Sequence, residues 1–118
     1  MNKRTFGSEG EAAAREYLES RGYRILEMNY RRPCGEIDII ARNRRVTAFV
    51  EFKRRTTERF GRPAEAVTGQ KRRHILRTAQ VYMQENGLED APVRFDIVEV
   101  TSSEIRHLEG AFDATDLA

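Results

Sequence analysis

Asp38, Glu51 and Lys53 are the residues of this chain whose types and spacing can do chemistry. They stand in Gly35-Glu36-Ile37-Asp38-Ile39-Ile40-Ala41 and Phe49-Val50-Glu51-Phe52-Lys53, two short apolar runs of the kind that form buried β-strands. A charge in such a strand is costly unless it is paired or holds a metal. Side chains alternate along a strand, so Glu51 and Lys53 share one face while Val50 and Phe52 take the other. An acid on one strand beside Glu-x-Lys on its neighbour is suited to holding a divalent cation and hydrolysing phosphodiesters. Asp38 and Glu51 offer hard oxygen ligands for Mg²⁺ or Mn²⁺, with the Phe52 carbonyl as a further one. Lys53 is then placed to position the attacking water or to stabilise charge developing at phosphorus. The bland alternative is a Glu51–Lys53 ion pair on a solvent-facing strand, which contributes little.

For Asp38 to meet Glu51, thirteen residues further on, the two runs must pair around a turn near Asn43 and Arg44. Arg42-Asn43-Arg44-Arg45 is the expected hairpin connection, between strands predicted over Glu36–Ala41 and Val46–Arg54. A strand over Tyr23–Tyr30 precedes them. Another follows over Val93–Val100, with Val93, Phe95 and Ile97 inward, and an edge strand is expected over Ile105–Phe112. One helix is predicted from a Ser8 cap to Arg21, ended by Gly22. A second is capped by Thr68 and stopped by Asn86-Gly87, with 64–67 as a short prelude. The polar, irregular stretch from Arg55 to Pro63 lies next to the candidate site, a common place for functional loops. Helix, three strands, helix and one or two strands make an α/β fold, a central mixed sheet flanked by α-helices. The whole of 1–118 is read as a single domain.

Charge points to a partner. The net charge is only +2 over 118 residues, but Arg42 to Arg77 carries twelve Lys/Arg against three acids. Such a basic block around the Glu-x-Lys strand is the footprint of an anionic partner, most often nucleic acid. Lys71, Arg72, Arg73 and Arg77 open the second helix, where cations oppose the helix dipole, which suggests a phosphate nearby. No apolar run reaches membrane-spanning length, and the opening residues lack the apolar stretch of a secretory signal. One cysteine, Cys34, excludes an internal disulfide, and His74 and His107 lack zinc-ligand spacing with it. The expectation is a cytoplasmic protein with no membrane partner.

Asp38, Glu51 and Lys53 resemble the D…ExK pattern of the restriction-endonuclease-like (PD-(D/E)xK) superfamily. More closely, the chain resembles the YraN-like family of small bacterial proteins, which are similar to archaeal Holliday-junction resolvases. The matching stretches are Gly7-x-x-Gly10-Glu11-x-x-Ala14, Gly22-Tyr23-x-Ile25-Leu26-x-x-Asn29-Tyr30-Arg31, Gly35-Glu36-Ile37-Asp38 and Phe49-Val50-Glu51-Phe52-Lys53-x-Arg55. Phe60-Gly61-x-Pro63, Glu65-Ala66-Val67-Thr68, Lys71 and Arg94-Phe95-Asp96 extend the match over nearly the whole chain. Two departures are Ile37, where the superfamily has proline, and Arg54, where the YraN-like family commonly has threonine.

The resemblance implies a restriction-endonuclease-like core and adds Glu11, because a glutamate on the first helix joins the metal cluster in the resolvase relatives. The resulting expectation is an Mg²⁺- or Mn²⁺-dependent endonuclease acting on DNA, branched or otherwise structured. Its metal set is Asp38, Glu51 and Glu11, with Lys53 acting on water or phosphate. Arg54, Arg55, Arg59, Arg62, Gln70, Lys71, Arg72 and Arg73 would bind the nucleic acid, the cations through backbone phosphates. Two alternatives stand beside it: a nucleic-acid-binding module of the same fold without turnover, and an adaptor whose basic face docks an acidic protein. Resolvase relatives often act as symmetric dimers, so a homodimer is compatible with the resemblance, although nothing in the chain marks an interface.

Overall fold

The computed structural model of the protein describes residues 3–55 and 67–113, with residues 3–8 in backbone only. Helix α1 (Lys3–Ser20) leads into strands β1 (Arg24–Arg32), β2 (Gly35–Asn43) and β3 (Val46–Arg54). Helix α2 (Gly69–Glu85) then precedes β4 (Val93–Val100) and β5 (Ile105–Phe112). The five strands form one mixed sheet in the order β1-β2-β3-β4-β5. Only the β3–β4 pair is parallel, joined by the crossover that contains α2. The result is the expected α/β architecture, a mixed sheet flanked by helices, compatible with a restriction-endonuclease-like core. Among the described residues no helix is long and apolar enough to cross a membrane.

Strand alternation divides the core into two layers. Ile40, Phe49, Phe95 and Ile97 pack with Ile75, Leu76, Ala79 and Tyr82 of α2. Ile39, Ala41, Ala48, Val50, Val98 and Val100 pack with Ala14 and Leu18 of α1 on the other side. Val98 and Val100 are thus fully part of a second core, not a partly covered face. β3 is buried on both sides, which is why it reads as an apolar run with Glu51 as its exception.

Element limits shift in understandable ways. α1 begins at Lys3, so Ser8 lies inside the helix and is not its cap. Gly10 has a packing reason inside the helix: a Cβ there would lie 2.7 Å from the Phe52 ring. The missing side chain lets α1 rest directly on β3. β1 runs on to Arg32 because its antiparallel ladder with β2 extends to Arg32↔Gly35. The β2–β3 turn is tighter than Arg42–Arg45, since Asn43 pairs with Val46 and Arg44 takes the left-handed conformation (φ 58°). Thr68 caps α2 as expected, its side chain accepting the Lys71 N–H at 3.2 Å. Arg59, Arg62, the Phe60-Gly61-x-Pro63 motif and most of the 64–67 prelude lie outside the described residues.

Candidate active site

A local break in the sheet builds the site. Residues two apart on a strand share a face, yet Met28 and Ile39 pack in the α1 layer while Tyr30 and Ile37 pack in the α2 layer. Met28 faces Ile39 and Tyr30 faces Ile37 across the β1–β2 ladder, so both strands turn over together at the position between, where Asn29 lies opposite Asp38. Asn29 adopts a left-handed conformation there (φ 54°), which asparagine tolerates better than most residues. The β2–β3 ladder also stops here, its last pair being Ile39↔Val50. Beyond it the Phe52 N–H donates to the Asp38 carboxylate at 2.8 Å, so a side chain takes over a backbone donor.

Asp38 is thereby turned towards Glu51, which is buried to 4% exposure. Burial pushes the Asp38 carboxyl up to about 7, and the neighbouring Glu51 charge and hydrogen bond push the same way. The Phe52 N–H and the Lys71 ammonium oppose that rise without cancelling it. Lys71 of α2 reaches down to Glu51, Nζ to Oε1, at 2.5 Å. Burial works against the Lys71 charge, but the Glu51 carboxylate outweighs it and holds the ammonium above its ordinary range. Two acids and one lysine ammonium therefore meet where β2, β3 and the start of α2 converge.

The donor set fits a hard divalent ion: carboxylate oxygens, buried, and in mutual repulsion that a cation relieves. The structure brings together two of the three expected ligands. Among the described residues no three His, Cys, Asp or Glu side chains come close enough to hold an ion. Glu11 instead accepts a hydrogen bond from Asn29 Nδ2 at 3.2 Å, touching the sheet at the residue that faces Asp38. Residues 10–100 match the family described as uncharacterised protein family UPF0102. The chain belongs to that family. A UPF0102 protein of Lachnoclostridium phytofermentans is 48% identical over 97% of this chain and 98% of its own length. One from Clostridioides difficile is 45% identical over 95% and 100%, and one from Acetivibrio thermocellus 50% identical over 84% and 77%. These are the relatives towards which the YraN-like resemblance pointed.

In this UPF0102 chain the bland Glu51–Lys53 pair does not form. Glu51 pairs with Lys71, and Lys53 has no ion-pair partner among the described residues. Half-buried Lys53 lies on the Glu51 face of β3 by alternation, with its charge unspent. Arg54 is exposed at the strand end. Arg55 is committed inward, its Nε donating to fully buried Glu99 at 2.7 Å. Gln70 and Arg73 are exposed on α2, whereas Arg72 donates to the Val67 carbonyl at 3.1 Å and lies over the Phe112 ring.

Sequence reasoning placed Lys71 among phosphate contacts and missed its grip on Glu51. The signal was present: a cation in the first turn of a helix needs an acid to face it. The same reasoning named Arg77 but did not join it to Arg31, Arg32 and His74, with which it lines one cleft of about 480 Å³ between the β1–β2 hairpin and α2. Nothing in their spacing along the chain joins residues 31–32 to residues 74–77.

Proposed function

We propose that this chain is a restriction-endonuclease-like, Mg²⁺- or Mn²⁺-dependent endonuclease that hydrolyses phosphodiester bonds in DNA, including branched or structured DNA. The observation that carries this reading is the pairing of half-buried Asp38 with buried Glu51, whose ion pair is to a lysine, Lys71. A bound divalent ion would polarise the phosphate and lower the pKa of a coordinated water. Asp38 and Glu51 would hold it, Asp38 being fixed in orientation by the Phe52 N–H. Lys53, without an ion pair among the described residues, would orient the water or the scissile phosphate from the same strand face. Glu11 would act from the neighbouring position through Asn29. Lys71 would leave Glu51 for a substrate phosphate, exchanging one anion for another. Exposed Arg54 and Arg73 would contact backbone phosphates without reading sequence.

A second reading has its own support. The Lys71 ammonium already neutralises Glu51 at 2.5 Å, which suits a nucleic-acid-binding module without turnover. Incubation with linear, flapped and four-way-junction DNA in Mg²⁺ or Mn²⁺ separates the two. The enzyme reading expects cleavage that Glu51→Ala and Lys53→Ala each reduce at least a hundredfold, with binding retained. Tight binding by highly purified protein, with no cleavage in either metal, selects the module.

A further inference from the structure

The cleft between the β1–β2 hairpin and α2 lies beside the carboxylate pair and is rimmed by cations. Its walls are Arg31 and Arg32 on one side and His74 and Arg77 on the other, with Glu36 towards the site. The cleft is rigidly built. Gly35 sits so close to α2 that a Cβ would lie 2.8 Å from Thr78 Oγ1, which pins the hairpin to the helix. Arg32 is clamped by Glu85 at 3.0 Å and stacks on the Tyr30 ring 4.2 Å away, leaving it a fixed wall. The other two arginines have charge to offer. Arg77 is exposed and has no ion pair among the described residues, and Arg31 meets only Glu36, its own side chain 76% exposed. Such an exposed pair is readily exchanged for a better anion.

The cleft adjoins the site along both walls: Glu36 stands two residues before Asp38 on β2, and His74 stands one helical turn after Lys71, which holds Glu51. Lys71, His74 and Arg77 follow one another at three-residue spacing along α2, a polar ridge with a cation at each end, roughly 9 Å long at 1.5 Å per residue. We propose that this cleft seats the sugar-phosphate backbone of the nucleic-acid strand on one side of the scissile bond, through Arg31, His74 and Arg77. This rests on the nuclease or nucleic-acid-binding reading above and adds a track, and an entry direction, to it. The strand crosses the β1–β2 hairpin, follows the α2 ridge and reaches Asp38 and Glu51 at its inner end.

Fluorescence-anisotropy titration of the full chain against labelled duplex and four-way-junction DNA, in EDTA and over a salt series, tests the track without cleavage. Each lost phosphate contact lowers the log–log salt slope by about 0.9. Arg31→Ala/Arg77→Ala should weaken binding about tenfold at moderate salt and reduce the slope by about two. Arg77→Ala alone, at a solvent-exposed position without an ion pair, should reduce it by about one and guards against a folding defect in the double variant. Arg44→Ala, at the far β2–β3 turn, should change neither. Wild-type binding with an unaltered slope in both cleft variants overturns this inference and leaves the nuclease reading standing. Failure of the wild-type chain to bind any nucleic acid removes both.

Discussion

Three acids of one sheet are buried and a fourth, Asp38, is half-buried, and they live in opposite circumstances. On β4, Asp96 is fully buried and accepts from Arg94 Nε and Nη2 at 2.8 Å, from the Gly110 N–H at 3.0 Å and from His107 Nε2 at 2.7 Å. Glu99, equally buried, is held by Arg55 and Arg106, each at 2.7 Å. Burial alone would raise both carboxyls, yet these partners bring them below the ordinary carboxylate range. Asp38 receives one backbone N–H and a neighbouring carboxylate, and burial drives it up to about 7. Burial of an acid is thus no mark of function by itself. What distinguishes β2–β3 from β4 is the counter-charge: arginines hold Asp96 and Glu99, whereas Glu51 meets Lys71, which arrives on a flexible stem from another element.

The β4 acids have a structural task that explains their partners. Asp96 sits where the β4–β5 register shifts and takes the backbone donor of Gly110, which adopts a left-handed conformation (φ 61°). It latches the edge strand. Asp96→Ala should therefore give the largest loss, about 3–5 kcal/mol by urea unfolding, because it breaks the pair of a buried carboxylate with Arg94 and leaves the Gly110 N–H without its acceptor. A loss under about 1 kcal/mol would erase the contrast between the two regions.

Next in size is the effect of supplying the missing charge. Manganese at a hundred times its dissociation constant should stabilise the wild-type fold by about 2.7 kcal/mol in thermal melts. Glu51→Gln should abolish that gain, and EDTA should reverse it. Equal stabilisation of both proteins would place the ion elsewhere.

Asp38→Asn should act in the opposite sense to Asp96→Ala. The folded carboxyl titrates above its unfolded value, so folding disfavours the ionised form. That penalty is absent at low pH, grows as pH rises from about 4 to about 7, and is full above 7. Asparagine keeps an oxygen for the Phe52 N–H and removes the penalty, so the variant should be more stable than wild type at pH 8 by about 1–2 kcal/mol. The advantage should fade between pH 7 and pH 4 in matched melts. The lowered carboxyls of Asp96 and Glu99 give the reverse limb: their contribution is complete above the unfolded carboxylate range and is lost as pH falls below about 4. A variant less stable than wild type at pH 8 would show that Asp38 is neutralised after all.

The smallest effect is expected at Glu11. Glu11→Gln keeps an acceptor for Asn29 at a partly exposed position, so stability should change by less than about 0.5 kcal/mol. A loss of cation affinity above tenfold in that variant would bring Glu11 into the metal set despite its present partner.

Much of this was legible in the chain. The Thr68 cap, the limits of β3, β4 and β5 and the alternation that puts Phe95 and Ile97 on one face follow from local rules that hold in the structure. The approach of Asp38 to Glu51 was legible in part: a turn expected near Asn43 and Arg44 brings their strands into a pairing whose ladder runs as far as Ile39↔Val50. What stayed hidden depends on contacts between distant segments. No local pattern shows that two strands turn over at Asn29 and Asp38, that Lys71 crosses from α2 to Glu51, or that Arg55 folds back onto Glu99. The place of Gly10 is hidden for the same reason: only the Phe52 ring beneath it explains a glycine there.

Anomalous diffraction from crystals soaked in Mn²⁺ near pH 8 addresses the central claim most directly. A manganese peak in contact with carboxylate oxygens of both Asp38 and Glu51, with the Lys71 ammonium moved off Glu51, is the predicted result. Crystals saturated with Mn²⁺ in which that position stays empty and Lys71 keeps its hold on Glu51 would contradict it.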